Sequence, residues 1–203
     1  MTVNPWFEEI GGTDDTSSGA TEHDEESIAQ PRATGPTEPQ PGQVGSPQTS
    51  LADLELGSFV PTTNDLWVLG VHGGAGETTL GELIGGTSTG RRWPESSPSA
   101  QVLLVARTHA SGLLRLQAVA TAWAAGALPP ANLLGAVLVP DAPGRLPAPL
   151  AQLARLTAGG LPHHWYLDWH DELRFAPAST TRSIGSRRLK RVCREISALH
   201  HHN

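Results

Sequence analysis

Eight residues in the middle of the chain, His72-Gly73-Gly74-Ala75-Gly76-Glu77-Thr78-Thr79, have the make-up of a loop that cradles an anion. Glycines let successive backbone N–H groups turn inward. A helix begun straight after them adds the positive end of its dipole, and a first-turn hydroxyl meets the magnesium ion that accompanies phosphates. Gly70, Gly73, Gly74 and Gly76 supply the turn, and Thr78 and Thr79 the hydroxyls. What is missing is the cation, because Glu77 stands where a lysine would neutralise the outer phosphates. Two unit charges about 4 Å apart interact by roughly 4 kcal/mol at an effective dielectric of about 20. Exchanging attraction for repulsion therefore costs on the order of 8 kcal/mol per phosphate charge, as much as micromolar affinity is worth. The helix dipole, by contrast, favours an acid in the first turn. The expectation is that Glu77 acts as an internal anion in part of the space a phosphate would take. The plainer alternative is a helix-start glutamate that points into water.

Three other groups of residues carry candidate chemistry. Asp141 and Gly144 follow an apolar run in the spelling Asp-x-x-Gly, which suits a magnesium ligand and equally suits an ordinary turn. His163, His164, Asp168, His170, Asp171 and Glu172 cluster in "HHWYLDWHDE", but strand alternation places His163 opposite His164 and Asp168, a poor fit to one metal. No metal site is expected, and no catalytic triad or dyad has a recognisable spacing. Arg182, Arg187, Arg188, Lys190, Arg191 and Arg194 form a basic patch. It suits nucleic acid, an acidic membrane surface or the chain's own acids, and equally a plain solvated helix face. Cys193 lies among these bases, which would somewhat favour its thiolate, but a lone helix cysteine is usually a packing residue.

The elements that position these residues follow from apolar periodicity. "LWVLGV" (66–71), "QVLLVA" (101–106), "NLLGAVLVP" (132–140) and "HHWYLDW" (163–169) read as buried strands. Between them, "TTLGELIGG" reads as a short helix, and 111–126 and 148–160 as helices with glycine stops. Residues 87–100 read as a loop, and 186–200 as a basic helix. Strands alternating with helices predict an α/β fold, a parallel sheet flanked by helices, with ligands beyond the C-terminal strand ends.

The N-terminal stretch differs in kind. Residues 1–65 hold twelve acids and one base, whereas 66–203 hold eight acids and thirteen bases. Residues 11–49 are poor in apolar side chains, so composition predicts disorder. Two islands interrupt this arm: Trp6, Phe7 and Ile10 read as a short docking motif or, more plainly, as an accidental apolar cluster, and Ser50 reads as an N-cap ahead of Leu51, Leu54 and Leu56. The expected organisation is an acidic arm (1–57), an α/β domain (58–178) and a basic C-terminal helix (179–203). One cysteine, no basic-then-apolar leader and no run long enough to span a bilayer fit a cytoplasmic protein without a transmembrane segment.

The loop resembles the deviant Walker A motif of the MinD/ParA class of P-loop ATPases, Lys-Gly-Gly-x-Gly-Lys-Thr-Thr. Here His72 and Glu77 replace both lysines, while the glycine spacing and the threonine pair are kept. The wider spelling "GxHGGAGxxTL…WP…LLVART" is similar to that of actinobacterial proteins without an assigned activity. The resemblance implies a reduced P-loop domain whose magnesium-binding strand is shortened into 87–100. In that alignment Asp141 lies at a later strand end, near where a base would bind. The reading is a non-hydrolysing scaffold or regulator acting through protein partners, with no cofactor. The alternatives are an NTPase in which magnesium bridges Glu77, Thr78 and phosphate, or a nucleic-acid adaptor that uses the basic helix.

Overall fold

The computed structural model describes residues 32–42, 51, 55–57, 66–95, 100–175 and 186–202. Trp6, Phe7, Ile10, Ser50, Leu54 and Arg182 lie outside the described residues. Five parallel strands form the main sheet in the order β3-β2-β5-β6-β7: β2 (Leu66–Gly70), β3 (Thr87–Gly90), β5 (Gln101–Arg107), β6 (Asn132–Val139) and β7 (His164–Tyr166). From β2 the chain steps out to β3 through α1 (Glu77–Ile84). It then crosses back to β5 and proceeds through α2 (Ala110–Ala124), β6 and α3 (Ala148–Gly159) to β7. This reversal of winding opens a crevice beyond the ends of β2 and β5.

Strand alternation divides the core. Leu69, Val102, Leu104 and Ala106 face α2 and α3, where Leu113, Leu116 and Trp123 pack on them. Leu66, Val68, Leu103 and Val105 face the other way, toward Leu80 of α1 and toward Leu189, Val192, Ile196 and Leu199 of α5 (Arg187–His202). Because β5 is buried on both faces, it reads as an unbroken apolar run.

Three expectations are corrected. Residues 87–100 are not simply a loop. They contain β3 at the sheet edge and β4 (Arg92–Pro94), which pairs in parallel with β1 (Glu55–Gly57). β3 is spelled Thr-Ser-Thr-Gly and buries only Thr89, so it has no apolar alternation to read. The basic C-terminal helix is not an appendage either: Ile196 is fully buried and α5 forms part of a core layer. Finally, residues 32–42, inside the stretch expected to be disordered, lie against the body. The Thr34 N–H donates to the Pro162 carbonyl (2.6 Å), and the Gln40 N–H to that of Ala124 (2.6 Å). Gly35 makes this approach possible, since a Cβ there would meet the Leu161 and Gly159 carbonyls.

Candidate functional site

The glycine loop runs from the end of β2 to the start of α1, at the reversal point of the sheet. Gly74 (φ 69°) and Gly76 (φ 102°) adopt the left-handed conformations that turn the backbone inward. Gly76 caps α1 without a side chain of its own. The Gly76 N–H donates to Glu77 Oε2 (3.1 Å), so the carboxylate folds back over its own loop rather than reaching outward. The same oxygen would lie 2.7 Å from a Cβ at Gly70, so that glycine makes room for the acid. An anion from the chain itself therefore occupies one donor of the cradle.

His72 is buried and fixed at both ring nitrogens. The Arg107 N–H donates to its Nε2 (3.0 Å), which leaves the proton on Nδ1 to be given to the Gly73 carbonyl (3.0 Å). Burial pushes its pKa down; the Gly73 hydrogen bond opposes this, and the neighbouring His109, Arg115 and Arg107 add to the lowering. His72 is thus a neutral strut joining the loop to β5. Its ring lies 4.8 Å from that of His109, the N-cap of α2, whose Nδ1 accepts from the Gly112 N–H (2.9 Å). A Cβ on Gly112 would run into the Arg107 carbonyl and the His72 ring.

Arg107 is the cation that reaches this loop. Its Nε donates to the Gly74 carbonyl (2.9 Å), and its guanidinium lies 3.7 Å from Asp141. Asp141, two strands away from β2, is held by its N–H donating to Thr108 Oγ1 (3.3 Å). The fold thus gathers His72, Gly74, Gly76, Glu77, Arg107 and Asp141 into one mouth. Thr78 is not among them: it is exposed, with its hydroxyl 3.4 Å from that of Ser88 on β3. Thr79 lines a hollow of about 60 Å³ with Gly76, Arg107 and Val139. That is well short of the roughly 300–1,000 Å³ of a ligand pocket.

Reading the sequence missed Arg107, His109 and Gly112. The available signal was their place, directly after an apolar strand at the sheet's ligand-facing end.

Residues 64–192 match a family of unknown function, DUF6668. The chain belongs to the DUF6668 family. The DUF6668 region opens just before β2 and ends inside α5, so it takes in the glycine loop, the Arg107 strut and the whole five-stranded sheet. No curated protein and no solved structure matches this DUF6668 chain.

The other candidates lie apart from the loop. His164 meets Thr34 Oγ1 (3.1 Å), His163 stacks on Trp165, and Asp168 pairs with Arg188 (3.0 Å). Among the described residues no three His, Cys, Asp or Glu side chains are grouped to hold a metal. Cys193 is packed against the core beneath α5, and burial raises its pKa, so the thiol is favoured over the thiolate despite the surrounding arginines. Of the basic patch, Arg187, Arg188, Lys190, Arg191 and Arg194 are exposed on α5. No helix among the described residues is long and apolar enough to cross a membrane.

Proposed function

We propose that the chain is a degenerate P-loop protein of the MinD/ParA type that no longer takes a triphosphate and works as a non-hydrolysing scaffold or regulator. One observation carries this reading: the Glu77 carboxylate accepts the Gly76 N–H at 3.1 Å, inside the cradle that a phosphate would need. Three others support it. His72 is locked as a neutral strut, Arg107 is bonded to the Gly74 carbonyl and so directed to the loop, and β3 brings no carboxylate to the place beside β2. The residues present do not fit ATP with magnesium, so no chemical step is assigned. Among the described residues, surfaces left for partners include the exposed Leu114 on α2 and Leu156 on α3, and the exposed arginines of α5.

Calorimetric titration with ATP, with and without magnesium, tests the reading. The native chain should show no saturable binding up to about 1 mM, the concentration equivalent to about 4 kcal/mol. Glu77→Lys should gain affinity, and Glu77→Gln should fall between the two. Equal and tight binding by the native chain and Glu77→Lys would rule the proposal out.

A further inference from the structure

A hollow larger than the one beside Thr79 lies away from the glycine loop. It is a groove of about 550 Å³ where the edge strand β7 meets α5, lined by His164, Trp165 and Tyr166 on one side and by Arg187, Arg188 and Arg191 on the other. That volume falls within the range of ligand sites, roughly 300–1,000 Å³. Its charge is unbalanced. Glu195 is the acid in the lining, and it is already shared between Arg191 (2.7 Å) and the Trp165 indole N–H (3.0 Å). Arg188 reaches Asp168, and Arg187 has no ion-pair partner among the described residues. Burial lowers the pKa of His164 and so disfavours its cation, which leaves the arginines as the source of charge.

The groove also lies where the acidic segment begins. Thr34, two residues past Arg32, bonds to the Pro162 carbonyl and to His164, itself a lining residue, while the His163 ring bonds to the Arg32 backbone. The chain before Arg32 therefore starts at the rim of the groove. Residues 1–31 hold eight acids and no lysine or arginine, and Glu22, Asp24, Glu25 and Glu26 fall close together. Glu26 is six residues from Arg32, a reach of about 20 Å when extended. A tether of that length holds the acids at an effective concentration of the order of millimolar, so weak charge pairing suffices.

We propose that residues 22–26 of the chain's own N-terminal segment dock in the arginine-lined groove between β7 and α5. Carboxylates there pair with Arg187 and share Arg188 and Arg191 with their present partners. This inference stands apart from the reading of the glycine loop.

The test uses the full chain carrying Cys193→Ser and Ser27→Cys, with a nitroxide attached at position 27 and ¹⁵N-resolved NMR as the readout. At low salt the Trp165 indole and Arg187 Nε signals should lose intensity selectively. They should regain it at about 1 M salt, where the screening length falls to about 3 Å. Replacing Glu22, Glu25 and Glu26 by Gln and Asp24 by Asn should restore both signals at low salt. These positions lie outside the described body, so the dispersion of its amide signals serves as a check on the fold. Unattenuated signals at low salt, or attenuation that survives the neutral replacements, would overturn the proposal.

Discussion

At the mouth of the glycine loop one covalently supplied acid, Glu77, faces a cradle of backbone donors, whereas in the β7–α5 groove three arginines face one glutamate. The loop is rich in glycine and looks made for a ligand, yet its donor is filled from within and the hollow beside it is about 60 Å³. The groove carries no motif, yet it is open, and one of its three arginines, Arg187, has no ion-pair partner among the described residues. A recognisable spelling reports how a backbone turns. Whether a site is free depends on which charges the rest of the fold sets against it.

The comparison can be broken first at α5. Ile196 is fully buried against the sheet, so Ile196→Ala should cost about 2–5 kcal/mol in denaturant unfolding. A loss well under about 1 kcal/mol would mean that the groove's arginine wall is not part of the core. For the same reason, deleting 182–203 is a poor test of nucleic-acid binding, because the deletion also removes Ile196 and Leu199 from the core. Charge reversal at exposed Arg187 leaves that core in place.

A smaller effect is expected at the loop's support. Gly112→Ala places a methyl against the Arg107 carbonyl and the His72 ring, and should cost about 1–3 kcal/mol while displacing the strut that ties loop to sheet. Thermal unfolding measures the loss, and the His72 and His109 ring resonances should shift with it. An unchanged spectrum would show that the mouth is set independently of α2.

The mildest expected effect is graded with pH. His72, His163 and His164 all have pKa values lowered by burial, so the folded chain binds fewer protons than the unfolded chain below about 6.5. Stability should therefore be full above that value, fall on acidification through it, and level off once the lowered folded values are passed. His72→Asn, which keeps a donor and an acceptor, should make the fall shallower. An identical slope in the native chain and the variant would remove His72 from this account.

Much of the architecture was legible because its signals are local. The runs 101–106 and 132–140 are apolar on both faces and became β5 and β6 within a residue of their expected ends. The glycine stops of α2 and α3 were read in the same way. β3 was missed because an edge strand spelled Thr-Ser-Thr-Gly is held by its neighbour's backbone rather than by burial. Residues 32–42 were read as disordered because composition counts apolar side chains. Their attachment, however, uses backbone hydrogen bonds and one close-packed glycine.

The sequence alone determined that a glycine-rich turn follows a buried strand, that no lysine serves it, and that an acidic segment precedes a basic body, because each is fixed by residue type and order. Tertiary structure decided the rest. It brought Arg107 from β5 to the Gly74 carbonyl, buried His72 as a neutral strut, and set the edge of β7 beside the arginines of α5. Charges act through distance in space, and residues such as Arg107 and Gly74, 33 apart in the chain, have no separation that can be read until the sheet has formed.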